Sequence, residues 1–489
     1  MGLTLPPIGC LLLALTLIAQ GQAVPGQPGD PAAKAERARQ AMAAGRYDEA
    51  AALYAELSRA LPGDAGLLMN LGISLTMAGR PGDGIGPLRR AAELQPSLHA
   101  AWLFLGSAYL DTGATQPAVE ALTRALATDP RSLKARRMLA DAYMQLEQYD
   151  AAARELEQLA AAEPSDAAVW YALGQSHEAG ARMAFEALRH DGKGKAYTQL
   201  LAADVLVSEE DFAGAIDLYR DALESLPPMR AVFEELADLY EHVGEAGQAA
   251  AVRKTLDSVS KEDCARNVPE CEFMAGRYRE ALVALEARTD PEAQYWRARA
   301  HNELAAAAFA TLEQLPPSAE SHAFRAEQYR SQGRHVDSVT ELRAAAKLAP
   351  ADRRIQRELA TSLYLSRDYQ AAELLLADLV EQAPGSAELQ FLYGDTLLQG
   401  QKLEEAIPHL ESAVRGAADF TDARISLARA YLQVGRHADA IPHLKAVLAS
   451  DEDGSLHYQL ARAYQATGQP ELAKQMLAKY AEIEKTRRK

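Results

Sequence analysis

The chain has 489 residues, a formal net charge of −17, and 48% hydrophobic but only 6% aromatic side chains. So acidic a surface repels phosphate backbones, which excludes nucleic acid as a partner. A core this poor in rings must be built mostly from alanine and leucine, and that suits closely packed helices.

The first 29 residues carry no charged side chain. Ile8 to Ala19 is an apolar run of about a dozen residues, too short to span a bilayer comfortably. Small residues follow at Gly21-Gln22-Ala23. Residues 1–23 therefore read as a signal peptide cleaved after Ala23, and residues 24–31, rich in Pro and Gly, as a linker. The expected location is exported, periplasmic or in the cell envelope. Membrane contact is expected only if the N-terminal segment is retained.

From residue 32 the sequence repeats about every 34 residues. Leu71, Gly72 and Pro96 are followed by Trp102, Leu105, Gly106, Tyr109, Ala118 and Pro130, then by Leu139, Tyr143, Ala152 and Pro164. Each period predicts two helices joined by a tight turn, with Pro62, Pro96, Pro130 and Pro164 closing the units. Small Ala or Gly recurs where helices cross, with a larger residue one turn later on the same face.

Residues 167–318 are irregular. Trp170, Leu173 and Gly174 open a unit, but no glycine turn follows until Asp191-Gly192. The same departure returns about 124 residues later: Tyr171, Phe185 and Leu188 match Tyr295, Phe309 and Leu312. Both stretches predict one long helix running through the usual turn, and the common offset suggests duplication of a block. The expectation is two places where the stack changes pitch. Between them lie Cys264 and Cys271. A helix would hold their Cα atoms about 10 Å apart, but Pro269 predicts a turn that lets the sulfurs meet. In an oxidising compartment a Cys264–Cys271 disulfide is expected.

From residue 319 to 487 the regular pattern resumes. Pro408 and Pro442 stand in the twin sequences Ala406-Ile-Pro-His-Leu410 and Ala440-Ile-Pro-His-Leu444. Both are expected in the opening turn of a second helix, where a missing N–H is tolerated.

The recurring Trp, Leu-Gly, Tyr, Ala and Pro skeleton resembles the tetratricopeptide-repeat (TPR) family over nearly everything after residue 31. The resemblance implies an all-α fold, an α-solenoid of about fourteen helix-turn-helix units wound into a superhelix. It also implies a scaffold that binds a peptide or partner protein in a concave groove, without catalysis and without a cofactor. In such units the first helix of each pair lines the groove. The stripe at that position reads Lys134 and Arg137 in one unit and Arg354 and Arg357 in another, followed by Phe391, Arg429, Tyr458 and Arg462. Arginine grips carboxylates bidentately and tyrosine offers area at low entropic cost, so an Arg/aromatic stripe in an acidic molecule predicts a peptide-binding face. Solvated helix surface with internal salt bridges is the alternative for these residues.

Other motifs are weak. A carboxylate clamp of Lys and Asn in adjacent repeats is not found. Gly82-Asp-Gly84-Ile-Gly86 lacks the Gly-Lys-Ser/Thr ending of a phosphate loop. Asp451-Glu452-Asp453-Gly454 lacks the spaced ligands of a calcium loop. No zinc-protease or triad motif stands out, so no catalytic residue and no metal are expected. Two other functions stay open: a structural subunit of a secretion or polysaccharide-export assembly, and an enzyme or enzyme accessory with its site in the irregular middle.

Overall fold

A computed structural model describes residues 30–258 and 268–487. Among these the secondary structure is helical throughout, with 26 α-helices and no strand. The chain divides into two units, one ending at Pro316 and the other running from Pro317.

The first unit opens with four helical hairpins: α1 (Pro31–Ala43) and α2 (Tyr47–Ala60), α3 (Ala65–Met77) and α4 (Pro81–Leu94), α5 (His99–Asp111) and α6 (Thr115–Thr128), α7 (Leu133–Gln145) and α8 (Tyr149–Ala162). Side-chain caps start several of them. Asp64 accepts from Leu67 N at 3.0 Å, and Ser132 caps α7 in the same way. Each hairpin turn wraps through one left-handed residue, such as Gly79 at φ 76°. There the amide of Arg80 reaches back to the Leu75 carbonyl at 2.9 Å, which satisfies the frayed end of α3. Glu147, Glu210, Arg367 and Gln401 take this position without being glycine, at φ of 58 to 64°. Glycine also allows the helices of a pair to touch. A Cβ on Gly106 would lie 2.6 Å from Leu122 Cγ, so Leu122 fills the space that Gly106 leaves.

Two 24-residue helices follow the predicted irregularities: α9 (Ala167–His190) and α16 (Pro291–Gln314). Each is a single long helix, as expected. They are not two separate interruptions, however; they pack on each other in antiparallel sense. The Tyr171 and Phe309 rings sit 6.3 Å apart near one end, and His177 meets His301 further along. Ala308 of α16 shares a core cluster with Ala153, Leu156 and Leu159 of α8. Helix α16 thus takes the place beside α9 and α8 that the second helix of a hairpin would fill. The segment 191–290 is an insertion within that hairpin. It comprises α10 (Lys195–Ser208), α11 (Phe212–Leu223), α12 (Arg230–His242), α13 (Ala246–Ser258), α14 (Val268–Met274) and α15 (Tyr278–Leu285). Its core joins α9 and α16 through Leu200, Tyr219, Leu285, Tyr295 and Trp296, all 2% exposed or less.

The second unit has five hairpins: α17 (Ala319–Ser331) and α18 (His335–Leu348), α19 (Arg353–Leu365) and α20 (Tyr369–Gln382), α21 (Ala387–Gln399) and α22 (Leu403–Gly416), α23 (Thr421–Gln433) and α24 (His437–Val447), α25 (Ser455–Ala466) and α26 (Pro470–Arg487). Pro408 and Pro442 lie inside α22 and α24, not in their opening turns. The helices begin one turn earlier than the prolines suggest, because Glu404, Glu405 and Asp439 favour the N-terminal turn. Each proline then forgoes one i to i−4 bond within the helix. Among the described residues no helix is long and apolar enough to cross a membrane.

Candidate functional site

The insertion and α16 enclose an open cleft of about 740 Å³ within the first unit. Helix α10 supplies Leu201, Asp204 and Val205, and α11 supplies Phe212 and Tyr219. Glu235, Asp238 and His242 come from α12, and Arg299 and Glu303 from α16. The repeat pattern explains the geometry: successive helices present polar residues to the cleft, while buried neighbours such as Leu200 and Leu236 anchor them in the core.

Arg299 is the centre. Its side chain is 11% exposed. It donates to Glu235 Oε1 at 2.6 Å and to Tyr295 Oη at 3.0 Å, and Asp204 Oδ2 lies 3.3 Å from its Nε. The guanidinium lies over Phe273 at 4.6 Å from the ring centre, with Tyr295 and Trp296 beside it. Tyr219 donates to Asp204, and its oxygen is 3.4 Å from Glu235 Oε2. Burial pushes the carboxyls of Asp204 and Glu235 above their ordinary range, with Arg299 pulling the other way. Burial likewise raises the Tyr219 phenol, and the two carboxylates add to it. For Arg299 burial opposes the cation, but Tyr295, Asp204 and Glu235 outweigh it and hold the guanidinium above its usual value. Two carboxylates therefore share one cation in a half-dry site. Glu303 is exposed at the mouth, and Asp238 there is paired with Arg253 at 3.1 Å. The cleft can take up positive charge. Among the described residues no group of three or more His, Cys, Asp or Glu side chains is arranged to hold a metal.

The predicted stripe falls in both units. Lys134 is exposed over the Phe104 ring at 5.1 Å. Arg137 is engaged with Glu163 at 2.9 Å and Asp166 at 2.7 Å. In the second unit Arg354 bonds Glu358 at 2.9 Å, whereas Arg357 and Arg462 are exposed. Phe391 stacks between Tyr364 and Phe420, Arg429 is half-buried, and Tyr458 is 45% exposed against Tyr480. Phe391 belongs to two neighbouring core clusters. Cys271 lies in α14, and Cys264 is outside the described residues.

Sequence reasoning missed Asp204, Glu235 and Arg299 as a group, because three helices far apart in the chain bring them together. One trace was there: Arg299 stands three and four residues after Trp296 and Tyr295, so all three share a helix face.

Models of the tetratricopeptide repeat match residues 109–175, 397–456 and 432–488, and residues 35–99, 78–132, 324–387 and 357–420. Together they span well over half of the chain. It is a tetratricopeptide-repeat protein. The TPR fold is a protein-interaction fold, and members of the family are generally non-catalytic scaffolds. Residues 176–323 fall outside the matches, and these contain most of α9, the insertion and α16. Among solved structures, "MamA MSR-1 C2" is 21% identical, covers 34% of this TPR chain and 97% of its own, and has a TM-score of 0.32. MamA 41-end from Desulfovibrio magneticus RS-1 is 18% identical over 40% of this chain and 94% of its own, with a TM-score of 0.23. Naa15/Naa10 bound to HypK-THB is 15% identical over 93% of this chain and 75% of its own, with a TM-score of 0.32. At such identities and scores these likenesses carry no argument about function. No curated protein matches the chain.

Proposed function

We propose that this TPR protein is a non-catalytic scaffold that holds a segment of a partner protein, and that the segment presents a Lys or Arg side chain to the α10–α12–α16 cleft. The observation that carries this is the charge balance of the cleft: among the described residues Asp204 and Glu235 share one buried cation, Arg299, with Glu303 at the mouth. Leu201, Val205 and Phe212 add an apolar wall for the stem of a long cationic side chain. A photo-crosslinker placed at Val205, which is 54% exposed, tests the cleft in the native cell. Val283, 66% exposed and away from the cleft lining, is the control position. A partner captured from Val205 alone supports the reading, and equal capture from both positions rejects it.

A second docking face is proposed in the second unit, favoured by the exposed Arg357, Tyr458 and Arg462. Unchanged partner recovery by the Arg357→Glu/Arg429→Glu double variant would reject that face. Export and the Cys264–Cys271 bridge belong to the same proposal. Mature protein should begin near Val24, and an intact Met1 overturns export. Mass mapping without reductant should return the two cysteines as one linked peptide; finding both alkylated refutes the bridge.

A further inference from the structure

The crossing of α9 and α16 holds a buried pair of histidines. His177 is 2% exposed and His301 is 1% exposed. Their Nδ1 atoms lie 3.0 Å apart. Two glycines make room for α16: a Cβ on Gly174 would lie 2.4 Å from the Phe309 ring, and one on Gly180 would lie 2.7 Å from His301 Nε2. The pair also sits at equivalent places in the two long helices, because 177 and 301 differ by the same 124 residues that relate Tyr171 to Tyr295.

Hydrogen-bond arithmetic limits the protons this pair can hold. At 3.0 Å one Nδ1 must donate and the other must accept, so the two rings cannot both be imidazolium. His301 Nε2 faces Asp150 Oδ1 of α8 at 3.1 Å, so a charge on His301 has a counter-ion. His177 has none: its Nε2 has no hydrogen-bond partner among the described residues. The neighbouring Ser176 hydroxyl, by contrast, donates to the Tyr149 carbonyl at 2.9 Å. The charged groups that act on His177 are His301, Arg279 from α15 and Asp150 from α8, while Arg154 of α8 and Arg297 of α16 act on Asp150. Arg279 opposes further positive charge on His177, and Asp150, which favours it, is already engaged with His301 Nε2.

We propose that His177 and His301 form a proton-operated latch: a second proton entering the pair forces the rings apart and opens the α9–α16 crossing. The same helix α16 carries Arg299, two residues from His301, so opening also withdraws one wall of the cleft. That coupling to partner binding rests on the function proposed above; the latch itself does not.

Burial first, and then the charges of His301 and Arg279, hold the His177 imidazole down at about 3. The unfolded chain has an ordinary histidine pKa of about 6.5. A base whose pKa is lowered by folding binds fewer protons folded than unfolded, so its contribution is complete above about 6.5 and is lost as the pH falls below it. The opening constant of the crossing rises by up to about tenfold for each pH unit below that value.

Hydrogen exchange of the full chain, corrected for intrinsic rates, tests the latch at about pH 7.5 and about pH 5.5. The amides of α9 and α16 should lose roughly tenfold in protection on acidification, while those of α5 and α6 do not. Equal change in both pairs, or none in α9 and α16, overturns the latch. His177→Leu should abolish the differential loss; if that variant does not fold, the wild-type comparison still decides. Binding is read separately, as Val205 crosslinking at the two pH values. Exchange that responds to pH without a change in crosslinking leaves the latch standing and refutes its coupling to the cleft.

Discussion

Replacing Arg299 by leucine removes the cation that, among the described residues, both Asp204 and Glu235 contact, and leaves two half-buried carboxylates facing each other. Arg299 is 11% exposed, bonds Glu235 at 2.6 Å and Tyr295 at 3.0 Å, and spans the interface of α16 with α10 and α12. Deleting one member of a buried pair costs about 3–5 kcal/mol, because the remaining charge stays desolvated. At about 2 °C per kcal/mol for a unit of this size, the melting point should fall by about 6–10 °C. The loss has a pH signature. Burial already raises the Asp204 and Glu235 carboxyls, and Arg299 is the main influence pulling them down. Without it they rise further. An acid whose folded pKa lies above its unfolded value gains folded-state stability as the pH falls through that folded pKa. The deficit of the variant relative to wild type should therefore be larger at about pH 7.5 than at about pH 5.5. Taking the difference at each pH cancels the histidine contribution, which both proteins share. Urea unfolding monitored by Trp296 fluorescence in a Trp102→Phe/Trp170→Phe background measures it. A deficit below about 1 kcal/mol, or one that is the same at both pH values, would refute the account of the cleft as a charge-deficient site.

Gly174→Ala should destabilise the first unit by about 1–3 kcal/mol, since its Cβ would meet the Phe309 ring at 2.4 Å. Adding Phe309→Leu should restore part of that loss in thermal melts, and a purely additive double variant would contradict the proposed contact. Arg367→Gly should stabilise the second unit by about 0.5–1 kcal/mol, because Arg367 holds φ at 64° where glycine is unstrained; denaturant midpoints decide. Asp395 is 3% exposed and accepts from Tyr364 at 2.9 Å, Ser426 at 2.6 Å and Gln399 at 3.1 Å. Asp395→Ala should cost about 2–4 kcal/mol by stranding those donors, and a cost near zero in urea unfolding would show that water replaces the carboxylate freely.

What the sequence discloses is what is local. The hairpins α1 to α8 and α17 to α26 follow from a period in which each helix packs on its neighbours in the chain. Gly79, Leu122 and Pro130 mark their turns and crossings directly. The pairing of α9 with α16 is not local. The repeat of Tyr171, Phe185 and Leu188 at Tyr295, Phe309 and Leu312 revealed two similar helices, but similarity does not say that they touch. The same limit hid the cleft, whose Asp204, Glu235 and Arg299 are ordinary surface charges until three helices converge. In the predicted stripe, Arg137 and Arg354 show how a sequence pattern can name cations without seeing their salt bridges to Glu163, Asp166 and Glu358.

The insertion within the α9–α16 hairpin has a consequence for how the molecule is made. A ribosome delivers α9 long before its mate, and about 135 residues must emerge before Gly174 can receive Phe309. Ordinary hairpins of this array close as soon as they appear, by short-range zipping. This one must wait with an apolar flank uncovered, so the slow step of biosynthesis, and the moment most in need of a chaperone, is fixed by where six helices were spliced in.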